Sequence, residues 1–241
     1  MSASNLPRRG SRSQAFTLIE WLVTIAVIGV LFSILIPVVS NIRERAMLSQ
    51  STSNLRELYR STMLYSSEHG GRLPASSDHG ENNRNFYTIL QDEGFIDLKF
   101  FGRHKGDGIL FNPLLVAGRK DEIRDSTGAS YAVNFWATEG ALRDGDTHRD
   151  SATSGRLVNV TKPSRMALFM DGVWNGITWP VQIGNWPEGQ NMPDFSFPIS
   201  SIGTDDPNAE TQVVFLDGHI EAIARRDFEQ DLDSYFWKGR E

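Results

Sequence analysis

Ala15-Phe16-Thr17-Leu18-Ile19-Glu20 runs directly into Trp21-Leu22-Val23-Thr24-Ile25-Ala26-Val27-Ile28-Gly29-Val30-Leu31-Phe32-Ser33-Ile34-Leu35-Ile36-Pro37-Val38-Val39. At about 1.5 Å per residue, the apolar stretch 21–39 covers most of a ~30 Å hydrocarbon core. One carboxylate, Glu20, stands at its mouth. A charge at a bilayer centre costs roughly 2.5–3.5 kcal/mol on insertion scales and usually has a function. Arg8, Arg9 and Arg12 precede the run with no acid among them, which predicts a cytoplasmic N-terminus and an exported remainder. Arg43 and Arg45 weaken that bias, although Glu44 lies between them. A secretory signal would have a shorter core and a small-x-small site, where this chain has Pro37-Val38-Val39-Ser40-Asn41. On the residues alone, a processed anchor, an unprocessed single-pass anchor and a buried helix of a soluble domain all stay open.

Beyond the run, Ser40 to Glu68 contains neither Gly nor Pro. Leu55, Leu58, Tyr59, Thr62 and Tyr65 recur at three- and four-residue steps, which predicts one semi-apolar helix face. Arg56, Glu57, Arg60, Ser61 and Glu68 fall largely off it. Gly70-Gly71 should end the helix, because glycine takes the left-handed cap easily. The two halves therefore read as one rod from about Thr17 to His69. Pro37 removes one hydrogen bond and predicts a kink, with a local loss of helix between the halves.

The 241 residues carry 24 basic and 30 acidic side chains, a formal charge of −6. Removal of a leader ending at Ala15 takes away three arginines and brings the charge to −9. Such a chain lacks the clustered cations that non-specific nucleic-acid binding requires. It has no Cys, which excludes a disulfide framework, a zinc–thiolate site and a thiol nucleophile. The portion after the anchor is long enough for one sizeable core.

That portion reads as β-rich. Ser130–Phe135, Arg156–Val160, Met166–Met170 and Gln212–Leu216 are short apolar runs separated by turn residues. Asp217-Gly218, between Val213–Leu216 and His219–Ala224, predicts a hairpin with a type I′ turn. A second helix is expected from Tyr87 to Gln91, ended by Gly94. Residues 177–207, rich in Pro, Gly, Asn and Trp, predict an extended loop.

No catalytic pattern emerges. Asp217 and His219 read as polar residues of a turn, since neighbouring strand positions face opposite sides. Ser130 and Ser164 lie in no nucleophile elbow, and no His-Glu-x-x-His or phosphate loop occurs. Asp144-Gly145-Asp146-Thr147-His148-Arg149-Asp150 spaces oxygen ligands as a calcium loop does, with Asp144, Asp146 and Asp150 as candidate ligands. Arg143 and Arg149 favour a solvated acidic loop instead, so no cofactor is expected.

The opening stretch resembles the N-terminal signature of type IV prepilins and type II secretion pseudopilins. The family cuts a basic leader just before a Phe and places Glu at the fifth mature position. A cut between Ala15 and Phe16 makes Glu20 the fifth residue and Pro37 the twenty-second, both as in the family. The family usually has Gly before the cut, where this chain has the equally small Ala15. Ser53-Asn54-Leu55-Arg56-Glu57-Leu58, Ser130-Tyr131-Ala132-Val133-Asn134, residues 162–171 and Val213 through Glu221 resemble a pseudopilin-like group named for an H-X9-DG motif. The position of the named His is Pro207 here.

The resemblance implies an α+β, pilin-like fold, with one long helix packed on a C-terminal antiparallel β-sheet head. Its parts would be a leader (1–15), a membrane and assembly helix (16–39), its amphipathic continuation (40–69) and a head (70–241). It implies cleavage by a prepilin peptidase, N-methylation of Phe16 and pairing of Glu20 with a neighbouring subunit's amine. Other pilin or pseudopilin subunits and inner-membrane lipid would be the partners. The expected location is the inner membrane in a single pass, with the head in the periplasm or at the cell surface. The expected role is that of a structural filament subunit rather than an enzyme. The competing reading is a membrane-tethered, glycan-binding protein stacking sugars on Trp174, Trp179 and Trp186.

Overall fold

The computed structural model describes residues 17–75, 86–97, 109–110, 112–114, 130–134, 137–138, 155–172, 176–177, 206–230 and 236. Helix α1 spans Leu18–Glu68 and is continuous through Pro37. The expected loss of helix beside Pro37 is therefore corrected. Proline deletes one N–H from the ladder, and the bonds on either side suffice to carry the helix across. Residues 1–43 and 44–241 form two compact units, so α1 belongs to both.

In the first unit α1 is exposed throughout its apolar run, with Leu18, Trp21, Val30, Leu31, Ile34 and Ile36 all more than half exposed. In the second unit α1 buries Ser51, Leu55, Leu58, Ser61, Thr62, Tyr65 and Ser66. Leu55, Leu58, Thr62 and Tyr65 are on the anticipated face, and Tyr59 is half-buried. Ser61, expected off the stripe, is buried. A small hydroxyl side chain fits where a sheet approaches the helix closely, which an apolarity pattern does not register. Gly70 and Gly71 end α1 with φ of 63° and 79°. The Gly71 N–H donates to Ser66 O at 2.8 Å, the long bond of a Schellman cap.

Helix α2, Phe86–Asp92, stops before Gly94 (φ 80°), as its sequence predicts. Five strands follow: β1 Tyr131–Asn134, β2 Ala167–Asp171, β3 Gly176–Ile177, β4 Glu210–Phe215 and β5 Ile220–Ala224. Their order is β3-β1-β2-β4-β5. The pairs β1–β2, β2–β4 and β4–β5 are antiparallel, and the short edge pair β1–β3 is parallel. An antiparallel sheet of four strands thus gains a two-residue parallel edge. The architecture is α+β and pilin-like.

The expected strand over Arg156–Val160 is instead a 3-10 turn, Leu157–Asn159, with Arg156 bridged singly to Arg72. The partner stretch lies between left-handed Gly71 and Pro74. Proline has no N–H to donate, so the ladder cannot lengthen. After β5 the chain turns directly into helix α3, Arg225–Gln230, a helix the charge-mixed tail did not announce. The Arg225 and Arg226 N–H groups donate to Ala209 O and Pro207 O.

The sheet is buried on both sides. Tyr131, Val133, Leu168, Phe169, Val214 and Leu216 share one cluster with Leu55, Leu58, Tyr65, Tyr87 and Leu90. Ala132, Ala167, Met170, Val213, Phe215 and Ile223 form the other, with Phe236 set edge-on to Phe215 at 5.8 Å. A register shift between Ala167 and Phe169 explains why the consecutive residues Leu168 and Phe169 both join the first cluster.

Candidate functional site

Helix α1 begins with a reciprocal cap. The Thr17 N–H donates to Glu20 Oε2 at 2.7 Å, and the Thr17 hydroxyl donates to the same oxygen at 2.8 Å. The Glu20 N–H reaches back to Thr17 Oγ1 at 3.4 Å. This is the capping box, Ser/Thr-x-x-Glu, which satisfies two of the N–H groups that a helix start leaves open. Thr17 is a site residue that the first reading missed. The signal lay in Thr17-Leu18-Ile19-Glu20 but was masked by attention to the charge of Glu20 alone. A carboxylate also favours the positive end of the helix dipole. Two of the hydrogen bonds that Glu20 needs near lipid therefore come from its own chain.

Downstream, hydroxyls fold back on the helix: Thr24 donates to Trp21 O and Ser33 to Val30 O, both at 2.7 Å. The Ser40 hydroxyl lies 3.0 Å from Pro37 O. Polar side chains in the apolar run are thereby satisfied without a partner helix. Pro37 sits inside α1, and Glu20 in its first turn. Ala15 and Phe16 lie outside the described residues, as do Asp144, Asp146, Asp150, Trp174, Trp179 and Trp186. Among the described residues no group of three or more His, Asp or Glu is placed to hold a metal ion.

A second polar constellation corrects the expectation for Asp217 and His219. They do not diverge to opposite faces: His219 Nδ1 lies 2.5 Å from Asp217 Oδ1, and the His219 N–H donates to the same oxygen at 3.2 Å. The two residues are two apart and flank a bend, so their side chains return to one side. The turn is a three-residue loop, Leu216–Gly218, not a two-residue type I′ turn. The Gly218 N–H bonds Phe215 O, the Phe215 N–H bonds His219 O, and Gly218 has φ 90°. The His219 ring stacks on Phe215 at 4.2 Å, and the Tyr59 hydroxyl donates to Leu216 O at 3.2 Å. Partial burial pushes the Asp217 carboxyl up, but the hydrogen bonds from His219 outweigh it and leave the group below its ordinary value. Partial burial, then the nearby Asp217 charge, raises the Tyr59 phenol. This arrangement fastens the hairpin to α1, and no nucleophile stands beside it among the described residues.

An exposed apolar helix, capped by its own Thr and Glu, ahead of a folded α+β head defines a pilin-type architecture. Residues 10–36 match the family model of the prokaryotic N-terminal methylation motif, consistent with a prepilin- or pseudopilin-type signal. No curated protein and no solved structure matches the chain. The motif and fold together point to a type IV pilin- or pseudopilin-like precursor. The apolar helix fits a membrane-anchored, single-pass protein, being long and apolar enough to cross a bilayer and unburied over its most apolar window.

Proposed function

We propose that this chain is a structural subunit of a type IV pilus-like or type II secretion pseudopilus filament. A prepilin peptidase cuts between Ala15 and Phe16, and the new amine of Phe16 is methylated. The carrying observation is the carboxylate at the start of an otherwise uninterrupted exposed apolar helix, within the stretch that matches the methylation motif. In the membrane-resident subunit the Thr17 cap shares the cost of Glu20. In a filament the amine of a neighbouring Phe16 pairs with it, offsetting a charge that would cost several kcal/mol if buried unpaired. The head remains exported, anchored in the inner membrane until assembly. Intact-mass measurement on membrane-extracted protein tests the processing step. The expected species starts at Phe16 and carries a methyl group. A chain starting at Met1, or beyond Val39, refutes this reading.

A further inference from the structure

In the second unit α1 meets the sheet through two unlike blocks. Leu55, Leu58, Thr62 and Tyr65 pack into the core, whereas Ser51, Thr52 and Asn54, one turn earlier, meet it through hydrogen bonds. The Tyr131 hydroxyl, on β1, lies 3.0 Å from Ser51 Oγ, and Asn54 Nδ2 donates to it at 3.4 Å. Gln212 Nε2, on β4, donates to Thr52 Oγ1 at 3.0 Å, while the Thr52 hydroxyl donates to Leu48 O at 2.9 Å. The sheet side is itself held rigidly. The Gln212 N–H donates to the buried Asp171 carboxylate at 3.0 Å, whose other oxygen accepts from Asn112 Nδ2 at 2.8 Å. The Tyr87 hydroxyl bonds the Tyr131 carbonyl.

The apolar block by itself specifies the position of α1 weakly. Of its seven buried positions, four are small hydroxyl residues: Ser51, Ser61, Thr62 and Ser66. A slip of three residues would bring Leu58 into the place of Leu55 and Tyr65 into that of Thr62. The same slip withdraws Ser51, Thr52 and Asn54 from Tyr131 and Gln212, and a buried polar group without a partner is costly. We propose that the polar seam of Ser51, Thr52 and Asn54 with Tyr131 and Gln212 is a register lock, selecting one axial position of α1 against the sheet. Buried polar pairs fix register in this way in helical assemblies. Its use rests on the filament reading, because a helical array needs every subunit in one register.

The chain has no cysteine, so two introduced ones take spin labels cleanly. Ser49 and Glu57 on α1 and Glu221 on β5 are exposed label sites. Distances for Ser49/Glu221 and Glu57/Glu221 are measured in the full chain in detergent, unassembled, so failure of the lock is separable from failure to form fibres. The parent should give one narrow distance per pair. Thr52→Val with Tyr131→Phe, both close in shape, should keep the helix content and add a second distance. That distance should be displaced by roughly 5 Å, about one helical turn, in at least one pair. If the double variant unfolds, each single variant is read by the same criterion. One narrow, unshifted distance in every folded variant overturns the lock.

Discussion

Replacing Gly218 by Ala is expected to cost far more than a surface turn substitution, and the hairpin geometry gives the magnitude. A Cβ at this position would lie 2.7 Å from Tyr59 Cε1 and 2.8 Å from Cζ, inside any real carbon contact. Independently, the φ of 90° is one that an L side chain rarely adopts, a penalty of about 1–2 kcal/mol. Overpacking against a half-buried ring adds about 1–3 kcal/mol. The total is ~2–5 kcal/mol, enough to threaten a domain of ordinary stability. Tyr59→Ala separates the two terms. In that background Gly218→Ala should cost only the backbone part, about 1–2 kcal/mol, leaving a coupling of ~1–3 kcal/mol between the positions. Denaturant unfolding of all four proteins, followed by far-UV circular dichroism, measures the cycle. A cost below about 0.5 kcal/mol for Gly218→Ala, or an equal cost in both backgrounds, refutes the close approach of turn and helix.

The depressed Asp217 carboxyl gives a pH prediction with a definite sign. A group whose folded value lies below its unfolded one stabilises above the unfolded value, about pH 4, and loses that contribution as pH falls through the folded value. Asp217→Asn should therefore lower stability at pH 6 and reduce the loss between about pH 4 and 2. Parallel unfolding curves for both proteins across that window would contradict it. Deleting residues 1–43 should leave a folded soluble head, because the core around Leu55, Phe86, Tyr131 and Phe169 lies wholly in residues 44–241; a cooperative thermal melt checks this, and a non-cooperative one refutes it. Glu20→Leu should keep membrane insertion, since it makes the segment more apolar, but abolish fibres in cells lacking the parent copy, and a normal fibre yield would overturn the pairing role.

Local chemistry determined much of this protein. The apolar run with its single carboxylate, the glycine stop after Glu68, the short helix before Gly94 and the Asp217-Gly218 bend are each decided among near neighbours in the chain. Helix continuity, caps and left-handed turns depend on residues within about four positions, so the sequence carries them openly. The Thr17–Glu20 cap belongs to the same class and was there to be read.

Other features were decided only when distant segments met. Arg156–Val160 has the composition of a strand, but its partner Arg72 is bounded by Gly71 and Pro74, so a 3-10 turn forms. The parallel pairing of Gly176–Ile177 with β1 has no signal in two residues. Ser51, Ser61 and Ser66 look like a solvated face and are buried, because what they meet is set by the sheet. Asp217 and His219 converge because a three-residue loop, rather than a two-residue one, reverses the chain. Hydrogen-bond partners such as Tyr131 for Ser51 lie 80 positions apart. A pairing of that kind is worth its energy only after the backbone has been folded to bring both groups out of water, and no local pattern encodes it.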